Sequence, residues 1–298
     1  MSRIQAFLRF SAVKAVRRTV SVSFLAACCA IAALPMAASG QTAFTLPAPP
    51  FELPFLPPLS GSWTVTIGAQ GQYQPDFEGA KASMLSAAPI FSIHRAGSAD
   101  PFRSPLDSAS IALIDFGDLR AGPAAKFVPA RLQDGHPELF GLGDVNAALE
   151  LGGFIEYFPV DWFRLRNETR AGLGGHRGVV SDFTADFIVP VTRGITISGG
   201  PRFAWESTDA ISPYFSINAA QAMATGLPMF NAMGGAHSAG AGMQVKYQIN
   251  PQWEVHSFVE YERLLGDAAN SPLVTVRGSV NQTTVGIGAS YSFDVKIR

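Results

Sequence analysis

Hydrophobic and polar residues alternate along most of the chain, most clearly over residues 145–173. Odd positions from Val145 to Tyr157 are mainly apolar, and the even positions include Glu150 and Glu156. After Pro159 the odd positions are again mainly apolar, and the opposite face carries Arg164, Arg166, Glu168 and Arg170. This period of two predicts two strands joined near Pro159. Across such a hairpin we expect Glu156 to pair with Arg164, and Glu150 with Arg170.

The same alternation predicts nine further strands. They cover about 62–73, 84–94, 110–116, 119–128, 179–189, 195–205, 240–249, 253–262 and 284–295. Asp182 and Arg202 are expected to pair across one of these hairpins. Because bacterial membrane barrels close with an even number of strands, either a further strand is hidden, for which Tyr214–Asn218 is the candidate, or one of the weak early strands does not form. The prediction is twelve strands, with ten as the alternative count.

The connections and the strand ends favour a membrane barrel over a secreted β-sandwich. Short connections near Pro159, 190–194 and 250–251 alternate with long ones near 129–142, 206–237 and 264–280, as in outer-membrane barrels. Aromatic residues lie at strand ends on the apolar face, as an interfacial girdle would: Trp63, Tyr73, Tyr157, Phe163, Trp205, Tyr247, Trp253, Tyr261 and Tyr291. We predict an all-β, transmembrane, antiparallel up-and-down barrel with long extracellular loops and short periplasmic turns.

The N-terminus has the features of a secretory signal. Residues 1–40 contain five basic residues and no acidic one, followed by an apolar run over 20–36 and small residues up to Gly40. The run is too short for a spanning helix, and Pro35 interrupts it. A lipoprotein cleavage box ending at Cys28 is the weaker alternative, and Arg17-Arg18 resembles a twin-arginine signal only weakly. We expect a signal peptide over 1–40, a proline-rich periplasmic segment over 41–61 and the barrel over 62–298.

Composition excludes several classes of function. Both cysteines, Cys28 and Cys29, lie in the predicted signal, so the mature chain is expected to hold no disulfide, thiolate metal site or cysteine nucleophile. Without the signal, 17 basic and 23 acidic residues remain, a net charge of −6, which argues against nucleic-acid binding.

The segment 41–61 holds six prolines together with apolar residues. It is interpreted as a linker, with a docking segment as the alternative.

Candidate chemistry is sparse. The five histidines show no metal-ligand spacing, so no metal or cofactor is expected. The sequence over 172–178, GLGGHRG, precedes no helix and is interpreted as a flexible loop. Ser257 points away from His256 on a strand, which separates this nucleophile from this base, so no catalytic residues are predicted. The charged residues of the polar faces are interpreted as ion pairs in the lumen, or alternatively as a selectivity constriction: Glu150, Glu156, Arg164, Arg166, Glu168, Arg170, Asp182, Arg202, Lys246, Glu254 and Glu260.

Several stretches resemble the MltA-interacting protein (MipA/OmpV) family of Gram-negative outer-membrane proteins. They are 214–217 (YFSI), 219–228 (AAQAMATGLP), 264–274 (LLGDAANSPLV) and 286–293 (GIGASYSF), and the likeness extends from about Gly61 to the end. The tail Asp294–Arg298 departs from the family, whose members usually stop at the last aromatic residue.

The resemblance implies a non-enzymatic scaffold in the outer-membrane lipid. Such a barrel would bring a lytic transglycosylase together with a bifunctional penicillin-binding protein, and members have also been linked to adhesion and antibiotic susceptibility. Two further hypotheses come from the residues themselves: a narrow channel or binding barrel for small solutes or antibiotics, because the predicted lumen is charged, and, with least support, a lipid-modifying enzyme.

Overall fold

The computed structural model describes residues 44–46, 60–96 and 102–297, with only the backbone at 44–46. The predicted signal peptide, most of the proline-rich segment and residues 97–101 lie outside the described residues. The described part of the chain belongs to one compact unit, Ala43–Arg298. Among the described residues, no helix has the length and hydrophobicity needed to cross a membrane.

The described chain forms a nearly closed antiparallel barrel of twelve strands, as predicted, with one short parallel strand added at its rim. Two of the twelve are only two residues long. In chain order, with the parallel strand first, the strands are β1 (Phe44–Leu46), β2 (Gly61–Pro75), β3 (Ser83–Arg95), β4 (Ala109–Ser110), β5 (Ile114–Asp115), β6 (Leu119–Val128), β7 (Ala148–Val160), β8 (Phe163–Gly174), β9 (Val179–Pro190), β10 (Ile195–Glu206), β11 (Gly235–Gln248), β12 (Trp253–Leu264) and β13 (Asn281–Ile297).

Pairing between β2 and β13 joins the ends of the chain, with Ala69 opposite Ala289. From β6 to β13, each strand pairs with its neighbours in sequence. The remaining gap, between β3 and β6, is filled by the two short strands. They pair with β6, and a single parallel bridge from Ile93 to Ile111 connects this segment to β3. The single strand predicted over 110–116 is therefore replaced by two short strands, because the chain here fills the gap between β3 and β6.

The outer surface of the barrel is apolar and the inner surface is charged, as the transmembrane prediction requires. Large apolar side chains on alternate strand positions are exposed, among them Leu151, Phe187, Met243 and Ile287, whose exposed fractions are 46%, 50%, 52% and 67%. A soluble protein would bury such a band, and lipid is the solvent that accepts it. Most of the predicted girdle aromatics are also exposed. Phe163 is half-buried, and Trp63 is buried: it is 3% exposed, and its ring lies 4.8 Å from the Arg95 guanidinium.

The connections alternate in length as predicted, with two exceptions. At one end β7 and β8 are joined by residues 161–162, β9 and β10 by 191–194, and β11 and β12 by 249–252. The long connections 129–147, 207–234 and 265–280 lie at the other end, which faces the outside in bacterial barrels. The first exception is residues 175–178, a short connection between β8 and β9 at this outer end. The second is residues 96–118, which begin at the short-turn end and place Asp107 inside the barrel against Arg164.

The long connections pack on one another into a structure that we call the outer cap, formed by residues 76–82, 129–147, 207–234 and 265–280. It contains α1 (Thr208–Phe215), α2 (Ala219–Thr225), α3 (Gly266–Asn270), a 3₁₀ turn at Pro137–Leu139 and a π turn at Leu273–Arg277. Two apolar clusters form its core, one around Leu139 and Leu273 and one around Phe215 and Val274. The predicted strand at Tyr214–Asn218 is therefore wrong, because this stretch ends α1 and leads into α2.

Candidate functional site

The charged side chains of the lumen are brought together by the alternation of β8. Each second residue of this strand, from Arg164 to Arg170, points inward and is no more than 6% exposed. The neighbouring strands β7 and β9 present carboxylates to them, because their own alternation is in phase with that of β8. We call the resulting set of ion pairs the lumen network.

Arg164 is the centre of the network and is completely buried. Its guanidinium contacts three carboxylates, with distances of 2.6 Å to Asp107, 3.1 Å to Glu156 and 3.0 Å to Asp186. Three anionic partners from three segments satisfy all sides of the planar guanidinium, which is the condition for keeping such a charge out of water.

A second group of pairs lies further along β8, toward the outer end. Arg170 contacts Glu150 at 2.9 Å, Glu168 at 2.6 Å and Asp182 at 2.5 Å. Arg166 joins this group to the first, because its Nε donates to Glu168 at 2.7 Å and its Nη1 donates to Glu156 at 3.0 Å. Its guanidinium also lies 4.0 Å from the centre of the Phe154 ring.

Arg202 extends the network to the opposite wall. It contacts Asp186 and Glu260, each at 2.7 Å, and Asp186 thereby connects Arg202 to Arg164. The predicted pair of Asp182 with Arg202 is wrong. The register of the sheet sets Arg202 opposite Thr184, so Asp186 is the carboxylate within its reach, while Asp182 contacts Arg170.

Two of the predicted lumen residues stand apart from the network. Lys246 and Glu254 contact each other at 3.1 Å, and both side chains are 20% exposed. They lie beside the short-turn end, where Gln248 pairs with Glu254 and the strands are joined by 249–252. Of the eleven predicted residues, the structure brings nine into one network and places this pair separately.

An inner segment, which contains no predicted strand, completes the network. Residues 102–108 lie in the lumen, where Ser104 contacts Arg202 and the backbone N–H of Ser108 donates to Glu168. Burial by itself would raise the pKa of Asp107, but the charges of Arg164 and Arg166 outweigh it and hold this pKa at about 2. One signal was present in the sequence: this connection is long at an end where the other turns are short.

Side chains fill the lumen at the level of the network. Arg164, Arg170 and Asp186 are at most 1% exposed, and Glu156, Glu168 and Glu260 are 4% exposed. The wall away from β8 is equally covered: Gln70, Gln244 and Phe258 are 5–6% exposed. The described side chains at this level therefore have little contact with water, as expected for a small barrel whose inward side chains interdigitate. On their outer side, Arg166, Glu168, Arg202 and Glu260 also line a cavity.

Above the network, under the outer cap, lies a cavity of about 460 Å³. Its wall includes Lys126, Glu206, Tyr214, His237 and Glu262. Burial and the nearby carboxylates raise the pKa of Tyr214, in α1, to about 12, so its phenol stays neutral at physiological pH.

Four of the five histidines are buried, at positions that the sequence alone did not indicate. His176 is 4% exposed and contacts Glu150 at 3.1 Å, so the loop at 175–178 presents a buried side chain and the prediction of a flexible tip is wrong for this residue. His237 contacts Glu78 and Glu206. His256 faces inward toward Gln70, while Ser257 is exposed on the outside, as the alternation predicted.

Three solved structures illustrate the similarity of this fold to known barrels. An outer membrane channel from Pseudomonas putida F1 gives a TM-score of 0.42 at 11% identity over 80% of this chain and 98% of that one. The NanC porin gives 0.36 at 10% over 77% and 98%, and the CymD monoaromatic hydrocarbon channel gives 0.35 at 10% over 80% and 89%. At these scores the likeness carries no conclusion about transport. A search of curated proteins gave no significant match.

The comparison with protein families identifies the family. The family model described as "MltA-interacting protein MipA" matches residues 67–293, from the middle of β2 to the last aromatic residue of β13. This range covers the network, the inner segment and the outer cap. The match confirms the resemblance given above: the chain belongs to the MipA family.

Proposed function

We propose that this outer-membrane barrel is a non-enzymatic anchor that holds peptidoglycan-remodelling enzymes at the inner face of the membrane. The family description supports a partner of the MltA type, which is a lytic transglycosylase. A bifunctional penicillin-binding protein is the second proposed partner. Export through a cleaved signal over 1–40 is part of the same proposal, because the anchor must reach the outer membrane.

The single observation that carries the proposal is the filled lumen. Arg164 and its three carboxylate partners occupy the middle of the barrel, and the inner segment is bound into the same network. A pore that admits solutes needs a continuous water-filled path, and this section offers almost none. A barrel filled in this way is rigid within the membrane and offers its two ends for contacts with partners, which is what an anchor requires. The same observation disfavours the channel alternative.

The contacts with the enzymes are assigned to the short-turn end. This end carries the turns 161–162, 191–194 and 249–252 and the tail of β13. Strand β1 pairs in parallel with that tail, Phe44 opposite Val295, so the proline-rich segment 41–61 starts from the periplasmic rim of the barrel. We assign a docking role to this segment because it is too apolar for a plain spacer.

Affinity purification from detergent extracts tests the proposal. The tagged full barrel is expected to recover an MltA-type lytic transglycosylase, and deletion of residues 47–59 is expected to reduce its recovery at unchanged barrel yield. Replacement of the exposed outer-cap residues Met223 and Met229 by serine is the control and should leave recovery unchanged. Equal recovery with and without the barrel would contradict the anchor role, whereas recovery that is unaffected by the deletion would contradict only the role of the segment.

A further inference from the structure

Three ligating side chains from distant parts of the sequence meet at the top of the cavity. They are Glu78 of the connection 76–82, Glu206 at the end of β10 and His237 near the start of β11. One ring nitrogen and one oxygen of each carboxylate all lie within 4.8 Å of one another. We propose that this cluster is a binding site for a divalent transition-metal ion of the Zn²⁺ type.

The imidazole of His237 is held rigidly and has a free nitrogen. Its side chain is 3% exposed, and the edge of the Phe215 ring packs against it with ring centres 5.7 Å apart. The backbone is fixed by the N–H of Leu265, which donates to the carbonyl of His237 at 2.7 Å. The buried Nδ1 has no hydrogen-bond partner among the described residues. A buried polar nitrogen without a partner is costly, and a bound ion would satisfy it.

The free nitrogen faces a carboxylate at a distance that suits a shared ion. Nδ1 of His237 lies 3.6 Å from Oε2 of Glu206. Two ligands bound tetrahedrally at roughly 2.0–2.1 Å from one Zn²⁺ lie about 3.4 Å apart, so these two atoms need to move by only a few tenths of an ångström. The side chain of Glu206 is 14% exposed, which shields the position between them from bulk water.

Glu78 completes the arrangement from the other side of the ring. Its carboxylate contacts Nε2 of His237, which is the position from which a carboxylate commonly orients a metal-bound histidine. The Glu78 side chain is 44% exposed on a connecting segment, so it is free to turn onto the ion as a third ligand. Water from the cavity supplies the remaining position, as in open zinc sites.

The charge of the cluster favours a dication. Once the ion has displaced the proton of the imidazole, His237 and the two carboxylates carry two negative charges, which one divalent ion balances. The mixed nitrogen and oxygen ligand set selects transition-metal ions over Ca²⁺ and Mg²⁺, which prefer oxygen alone.

Isothermal titration of the full mature barrel in micelles, carrying a tag without histidine, tests the site with Zn²⁺. The expected result is one ion per chain and at least a tenfold loss of affinity in His237→Ala and in Glu206→Gln. His136→Ala is the matched control, because Nδ1 of His136 also lies 3.6 Å from a carboxylate, that of Asp76, outside the cluster. Its affinity is expected to stay unchanged.

A second measurement on the unaltered protein keeps the proposal testable if a variant fails to fold. Addition of Co²⁺ should give the intense visible absorption of a four-coordinate ion with nitrogen and oxygen ligands, and Zn²⁺ should abolish it. No binding of either ion by the unaltered barrel, or equal affinity of the unaltered barrel and His237→Ala, would overturn the site and leave His237 as a partner in ion pairs only.

Discussion

The Nε atom of Arg170 lies 2.9 Å from Oε2 of Glu150, although the register of the sheet places Arg170 opposite Gly152. The guanidinium reaches diagonally to the next inward position of β7. At Gly152 itself the two backbones approach closely, because a Cβ atom there would lie 2.7 Å from the Cα of Arg170 and 2.0 Å from the carbonyl oxygen of Thr169. The strand interior thus uses a glycine where the neighbouring backbone leaves no space for a side chain.

This relationship predicts a stability difference between two glycine substitutions. Gly152→Ala is expected to destabilise the barrel by about 1–3 kcal/mol, because the added methyl group meets backbone atoms. Gly71→Ala is the matched control, since a Cβ atom there meets nothing within 4 Å. Urea unfolding of the two variants in micelles measures the difference. Equal midpoints would contradict the packing argument.

Replacement of Arg164, the central cation of the lumen network, should destabilise the barrel more strongly than Gly152→Ala. Arg164→Met leaves Asp107, Glu156 and Asp186 buried without their shared partner, and we expect a loss of about 3–5 kcal/mol in the free energy of unfolding. Lys246→Met removes a pair whose two side chains are each 20% exposed and should cost at most ~1 kcal/mol. The unfolding free energies of the two variants, measured under the same conditions, test this difference. A similar loss for both would mean that burial of the network contributes little to stability.

The inner segment should be released by acid. The pKa of Asp107 is lowered to about 2, so its contribution to stability is complete above its ordinary value of 3.8 and is lost as the pH falls toward 2. Hydrogen exchange at the backbone amides of residues 102–108 should therefore stay constant from pH 7 to pH 5, after correction for the intrinsic rate, and rise below pH 4. In Asp107→Asn this acid-dependent rise should disappear. A rise of the same size in the variant would assign the effect to another group.

The lipid-facing surface predicts different costs for the same substitution at two similarly exposed apolar residues. Ile287, on the outer face of β13, is 67% exposed, and Val276, in the outer cap, is 61% exposed. Ile287→Arg places a charge against acyl chains and should cost about 2–4 kcal/mol, whereas Val276→Arg meets water and should stay within ~0.5 kcal/mol. Refolding into lipid vesicles, followed by urea titration, measures both. An unaffected Ile287→Arg would contradict the membrane assignment.

The barrel itself could be predicted from the sequence because its signal is local. Alternation predicted the ten long strands within a few residues, and the choice between lipid and core as the apolar partner followed from the alternating connection lengths and the aromatic residues at strand ends. The register of the strands could not be predicted as well. Glu156 contacts Arg164 and Glu150 contacts Arg170, as expected, but these residues are not directly opposite each other. The flexible arginine side chains reach diagonally past their direct partners.

The elements inside and above the barrel were missed for a different reason. The inner segment is fixed by Asp107 against Arg164, and the proposed metal cluster joins residues 78, 206 and 237; neither has a fixed spacing along the chain. The second cap helix did leave a local signal, because Asn218 and Gln221 form a capping box and Gly226 ends the helix with a φ of 72°. The prediction of a strand at Tyr214–Asn218 did not take this capping signal into account.

The closed lumen is the central claim, and planar-bilayer conductance of the purified barrel tests it most directly. We predict that the unaltered protein inserts without conductance steps at neutral pH, and that deletion of residues 103–107 produces small, salt-dependent steps because the network loses Asp107. Stable ohmic steps from the unaltered barrel would contradict the account and would favour the channel alternative.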